Sequence, residues 1–180
     1  LSQADLIRNY ILMGLEPKKQ GELYKDYWFP MEQSFGHSER SPQFDRFIRD
    51  YLTIKNSGKI PIIGEVYADF KSYVLNLKEE DIKNIVADIY LYSKYFVKLT
   101  SSKEDDEEIR KVLSDIKDLR VEVAYPFLLE VYDDYRLQRI NREEFLEVLK
   151  LVESYVFRRA ICGIPPGYLN KTFANLSKSV

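Results

Sequence analysis

Residues 153–173 read ESYVFRRAICGIPPGYLNKTF and contain a helix end, two adjacent arginines and a short amphipathic segment. The run of helix-forming residues stops at Gly163, the residue type most often found just after a helix end. Pro165 and Pro166 follow and cannot continue a helix, because proline lacks the backbone N–H and clashes with the preceding turn. The stretch therefore predicts a long helix, an abrupt stop and a shorter helix.

The long helix is predicted to begin at Asn141, with Glu144 three residues later in the position of a capping-box partner. Its apolar residues recur at intervals of three and four, which is the spacing of one helix face. The residues predicted to face inward are Phe145, Val148, Leu149, Val152, Tyr155 and Val156.

The same spacing extends outward to the start of the chain. Ser2 is a good N-cap for a first helix, and a second helix over residues 20–34 must bend or divide at Pro30. Further helices are predicted after Ser41, over residues 65–75 and 78–100, after the acidic run 104–108, and from Pro126. No strand-like alternation of useful length occurs. We therefore predict an all-α fold, an irregular multi-helix bundle of about eight helices forming a single domain over residues 1–180.

Composition narrows the class of protein. The 27 basic and 29 acidic residues give a net charge of -2, which predicts no general attraction to nucleic acid or to anionic membranes. The single cysteine excludes an internal disulfide and favours a reducing cytoplasm. The chain opens with Leu1 directly before a helix start, so we expect it to be a fragment of a larger multidomain protein.

Most catalytic chemistry lacks the residues that it needs. His37 is the only histidine, so a histidine triad, a two-histidine zinc site and a histidine-metal nuclease are excluded. Cys162 follows a helix C-terminus, where the dipole raises a thiol pKa, and we expect it to be a small buried packing residue. The acids at 104–108 lack the spacing of a metal loop and favour a helix N-terminus instead. No catalytic residue, cofactor site or metal site is predicted.

The arginine pair Arg158 and Arg159 is the one constellation with two open interpretations. Neighbours lie about 100° apart on a helix, so Arg159 falls on the inward stripe and Arg158 beside Ser154. Both could stabilise the last turn, with their stems packed on aromatic rings. Alternatively, Arg158, Arg159, Lys171 and Lys178 form a local basic patch that contacts DNA phosphates.

The chain resembles the GmrSD family of modification-dependent (type IV) restriction enzymes. The resemblance is carried by residues 153–163, by LNKTF at 169–173 and by the opening LSQADLIRNY at 1–10. In the middle it is carried by Trp28, Glu32, residues 44–51, Val66, Tyr67, Phe70 and Lys71. The resemblance thus spans essentially all 180 residues.

The family resemblance implies a helical region between or beside two active domains. In the family, an N-terminal ParB-like domain with an Asp-Gly-Gln-Gln-Arg motif carries the nucleotide-dependent function, and a His-Asn-His-type domain cuts DNA in many members. Neither motif occurs here. We therefore expect a non-catalytic module that supports or couples these flanking domains in a phage-defence protein. The alternatives are a DNA-binding module, and a helical domain whose exposed aromatic residues dock a protein partner or a second copy.

Overall fold

The computed structural model describes residues 1–36, 42–75, 78–101, 103–164 and 168–176, with no side-chain detail at 79 and 80. These residues contain nine helices and no strand, which confirms the all-α irregular bundle. His37, Ser41, Pro165, Pro166 and Lys178 lie outside the described residues, as does residue 102.

The chain divides into two compact units, Leu1–Lys94 and Tyr95–Val180. The first holds α1 (Gln3–Leu12), α2 (Pro17–Leu23, continuing through Tyr24–Trp28 and Phe29–Phe35), α3 (Pro42–Lys55), α4 (Val66–Val74) and most of α5 (Glu79–Ser101). The second holds the end of α5, then α6 (Glu107–Asp118), α7 (Tyr125–Arg136), α8 (Arg142–Ile161) and α9 (Leu169–Leu176). That residues 1–180 form a single domain stays a prediction.

Local capping signals place several helix ends where the sequence predicts them. Ser2 forms a capping box with Asp5 at the start of α1. At α8, Asn141 and Glu144 form the predicted capping box, and Gly163 takes a positive φ of 63° just beyond the helix end. The run 104–108 lies at a helix N-terminus, as predicted: Asp106 is the N-cap of α6 and accepts from the backbone N–H groups of Glu108 and Ile109.

Pro30 perturbs α2 without dividing it. The helix changes to a π turn over Tyr24–Trp28, and the Phe29 N–H donates to the Tyr24 carbonyl, one residue further back than in an α-helix. Pro30 has no N–H to donate, so the switch in hydrogen-bonding register falls where the α-helical ladder would be broken.

Aromatic rings fill the core of the first unit. Phe35 stacks on Phe44 with ring centroids 4.7 Å apart, and Trp28 packs on the same Phe44 ring at 5.4 Å. Tyr51 joins α3 to α5, because its hydroxyl donates to Asp88 Oδ2 at 2.6 Å while Lys55 Nζ approaches the same oxygen at 2.8 Å. This pairing, rather than apolar contact alone, fixes the register between the two helices.

Asp50 is a buried charge in that unit, with only 1% of its surface exposed. Arg49 Nη2 lies 3.1 Å from Oδ1, whereas Oδ2 has no hydrogen-bond partner among the described residues. Burial raises the pKa of Asp50 from 3.8 to about 6, opposed by the charges of Arg49 and Arg46. The carboxylate is therefore stabilised on one side only.

In the second unit, buried Glu104 connects the end of α5 to α7. It accepts hydrogen bonds from the Tyr132 hydroxyl and, at 3.2 Å, from Lys98 Nζ. Burial, followed by the bond to Glu104, raises the pKa of Tyr132.

Within the described ranges, no helix combines the length and the apolar character needed to cross a bilayer.

Candidate functional site

The two arginines near the end of α8 have different surroundings, as their spacing predicts. Arg159 is half-buried on the side of Val152 and Val156, and its Cζ lies 5.6 Å from the centre of the Tyr155 ring. Its Nη1 also approaches the Tyr155 hydroxyl at 3.4 Å. Arg158 is exposed and has no salt-bridge partner among the described residues. Arg159 thus has the packing contacts of the first interpretation, while the guanidinium of Arg158 faces solvent.

Lys171 lies on the exposed side of α9. Leu169, Phe173 and Ala174 are the buried residues of that helix, and Lys171 is about half a turn away from Leu169 and Phe173. Of the predicted phosphate contacts Arg158, Arg159 and Lys171, the first and last are therefore exposed and the second is partly covered. Their role in binding DNA stays a prediction.

Tyr155 departs from the predicted inward stripe, since 39% of its surface is exposed. Its ring nevertheless meets Phe173 of α9 edge-to-face, with centroids 6.4 Å apart. Phe145, Leu149, Val152 and Val156 are buried as predicted. Tyr155 therefore sits at the margin of the core, with one side on Phe173 and the other beneath Arg159.

The side of α8 that faces away from the core becomes apolar near its end. Leu151 is 62% exposed, Phe157 52% and Ile161 70%. At 100° per residue these side chains and that of Arg158 fall within an arc of about 120°. We call Leu151, Phe157, Arg158 and Ile161 the α8 outer face. Exposed Ile164 and Tyr168 continue the apolar character beyond the helix.

Sequence reasoning missed this surface because it treated most aromatic and aliphatic residues as packing. The signal was present: Leu151, Phe157 and Ile161 fall off the stripe that contains Val152 and Val156. An apolar residue that does not share the core-facing stripe of its helix is left exposed unless another element covers it. Clustered exposed apolar residues of this kind are typical of interaction surfaces.

The first half of α8 is covered in a different way, by ion pairs with α6. Arg142 binds Asp106 through two bonds, Nε to Oδ2 at 2.6 Å and Nη2 to Oδ1 at 2.9 Å. Lys150 Nζ reaches Glu108 at 2.9 Å. The bond from Arg142 lowers the pKa of Asp106 to about 2, and Lys150, followed by Arg142, lowers the pKa of Glu108. These charges serve to hold two helices together.

The expectation that Cys162 is buried is wrong. The thiol is exposed, because the residue is the C-cap of α8 and the chain turns at Gly163 before another element can cover it. Its exposure reflects its place at the helix end.

The described part of the chain holds no group of three or more His, Cys, Asp or Glu side chains suited to a metal ion. Comparison with family models, with curated proteins and with solved structures found no match. The α8 outer face and the resemblance in sequence are therefore the two observations from which a function is inferred.

Proposed function

We propose that this chain is a non-catalytic helical module of a GmrSD-like restriction protein that docks a flanking domain through the α8 outer face. The observation that supports the proposal is the cluster of Leu151, Phe157 and Ile161, each more than half exposed, around Arg158. The sequence resemblance supports the choice of a flanking domain as the partner that covers this face.

Hydrophobic burial gives the reason for docking at this face. Covering the exposed part of one large aliphatic or aromatic side chain stabilises a complex by about 1–2 kcal/mol. Three such side chains on adjacent turns provide an apolar centre for an interface. An arginine beside such a centre is a frequent contributor to binding energy, because its guanidinium forms bidentate bonds and its stem packs on apolar groups.

The occupant has a corresponding chemistry. It must offer an apolar depression for Phe157 and Ile161, with a carboxylate placed to meet Arg158. In the family that the chain resembles, the nucleotide-dependent domain and the nuclease domain lie in the same protein. Contact with one of them through the end of α8 would let this module support that domain or transmit its nucleotide state.

The test uses this chain and the domains encoded on either side of it, purified separately and mixed in a calorimeter. We expect one flanking domain to bind, and Phe157→Ser with Ile161→Ser to weaken binding at least about tenfold. Leu137→Ser is the matched control, because Leu137 is also 52% exposed but lies outside the α8 outer face. Binding that is absent, or equally affected by all these substitutions, would contradict the docking role.

Catalysis by the chain itself would contradict the other half of the proposal. The chain alone, supplied with a divalent metal ion, should neither cut DNA nor hydrolyse nucleotide. Either activity, retained through successive purification steps, would show that the module is an enzyme.

A second candidate, contact with DNA phosphates, is favoured by the exposure of Arg158 and Lys171. It predicts that affinity for a DNA duplex falls steeply with salt and is lost when Arg158 and Arg159 are both replaced by alanine. Because Arg159 is partly covered by Tyr155, Arg158→Ala alone should account for most of the loss. Fluorescence anisotropy with a labelled duplex measures both effects, and unchanged affinity would exclude this candidate.

A further inference from the structure

A second feature, in the first unit, is a cavity of about 630 Å³ between α2 and the beginning of α5. Its volume lies in the range of small-molecule sites. The apolar part of its lining consists of Leu15, Leu23 and Ile82, and the Tyr27 ring forms an aromatic wall. Polar residues complete the lining, namely Lys19, Lys78, Lys83, Glu22 and Asp26.

Contacts around the cavity hold its walls in place. Tyr27 on α2 meets Tyr90 on α5 edge-to-face, with ring centroids 5.7 Å apart, so the two helices are fixed relative to each other beside the opening. The segment before α2 is also fixed, because Gln20 Nε2 donates to the Leu15 carbonyl at 2.7 Å. Leu15 and Leu23 are buried beneath these contacts. The Tyr27–Tyr90 contact thus joins the two helices that line the cavity.

The charges of the lining select one chemical class of ligand. Among the lining residues that the structure describes, three lysines outnumber two carboxylates above an apolar base. We propose that this cavity binds a small amphipathic anion, a molecule with an apolar or aromatic body and one acidic group. The body lies against Leu23, Tyr27 and Ile82, and the acidic group lies among the ammonium groups of the rim.

The test uses two fluorescent probes of similar aromatic body, anilinonaphthalene sulfonate, which is an anion, and phenylnaphthylamine, which is neutral. We expect the whole chain to bind the anionic probe saturably at one site and to bind the neutral probe more weakly. Equal affinity for the two probes would overturn the assignment of an anion site.

Three variants locate the binding. Lys83→Glu reverses a charge at the rim and should lower the affinity for the anionic probe by about three- to tenfold. Ile82→Trp fills the space between the helices and should remove saturable binding of both probes. Lys25→Glu makes the same change of charge on α2 but does not line the cavity, so it should leave affinity nearly unchanged.

Two results would overturn the site. If Lys83→Glu and Lys25→Glu weaken the anionic probe equally, the effect is one of net charge and not of the cavity. If Ile82→Trp leaves the signal intact while circular dichroism shows a native helical spectrum, the probe binds elsewhere, for example at the α8 outer face.

Discussion

The two halves of α8 present opposite surfaces to their surroundings. Near the start, Arg142 and Lys150 are engaged by Asp106 and Glu108 of α6. From its middle to its end, Leu151, Phe157 and Ile161 are exposed on the side away from the core. One continuous helix therefore changes from a surface that is satisfied within its own unit to a surface that is not.

This difference shows which half of the helix serves the fold and which half is available for another role. The salt bridges between α6 and α8 pair the charged groups of the first half with groups of the same unit. Exposed aliphatic and aromatic groups gain stability only when something covers them. The end of α8 is therefore the part where function is to be sought, and substitutions along the helix should separate the two roles.

The largest effect is expected from Phe145, which is fully buried on α8. Phe145→Ala should lower the free energy of unfolding by about 3–5 kcal/mol, because it removes a core ring that packs on Tyr132 and Tyr135 and leaves a cavity. Phe157→Ala is the matched control and should change stability by no more than about 0.5 kcal/mol. Urea denaturation measures both, and a comparable loss in the two variants would break the distinction between the buried and exposed sides.

Asp50 in the other unit provides a second contrast with the paired charges of α8, because its Oδ2 is buried and has no hydrogen-bond partner among the described residues. Its pKa of about 6 in the folded chain exceeds the ordinary value of 3.8, so the folded state holds the proton more tightly than the unfolded state. Its contribution to stability is therefore greatest below about pH 4 and is lost as the pH rises through about 6, by roughly 2–3 kcal/mol.

Asp50→Asn should remove this dependence. Relative to the native chain, the variant should become progressively more stable between about pH 4 and pH 7, following the loss expected from linkage. Denaturation of both proteins across this range measures the difference. A constant difference over the whole range would show that Asp50 does not titrate between these values.

A smaller effect is expected at the first turn of α8. Asn141→Ala should lower the free energy of unfolding by about 1 kcal/mol, because the Asn141 side chain no longer accepts from the Glu144 N–H. Asn141→Asp, which retains the acceptor, should restore nearly all of it. A full loss in the aspartate variant would mean that the side-chain bond is not the source of the stability.

The smallest effect on stability is expected from the pairing of Arg142 with Asp106. The pKa of Asp106 is lowered to about 2, so its contribution is present above about pH 4 and is lost as the pH falls through about 2. Arg142→Ala should therefore be less stable than the native chain at neutral pH, and the difference should shrink in acid. Thermal melts at both pH values test this, and a difference that is independent of pH would contradict the ion-pair account.

Features set by neighbouring residues could be predicted from the sequence. Ser2, Asn141 and Gly163 mark helix ends because capping depends on residues three or four positions apart. The different exposure of Arg158 and Arg159 follows from their separation of about 100° on the helix. The all-α class could be predicted because apolar residues repeat at helical spacing along the chain, and the structure confirms it.

Features that depend on distant elements could not be predicted in this way. The exposure of Leu151, Phe157 and Ile161 depends on what packs beside α8, and the periodicity of one helix does not contain that information. The cavity between α2 and α5 joins Leu15 to Lys83, far apart in the chain. The burial of Asp50 likewise results from packing around α3, because nothing in its local sequence distinguishes it from the exposed acids.

Cys162 gives the end of α8 a redox property that the rest of the surface lacks. It is the single cysteine of the chain and it is exposed next to Ile161. A disulfide between two copies of this chain can therefore form only through this helix end in each. In air, such a covalent pair would accumulate slowly and would bring the two α8 ends together. Reducing agent, or Cys162→Ser, keeps that surface available to the domain that we propose covers it.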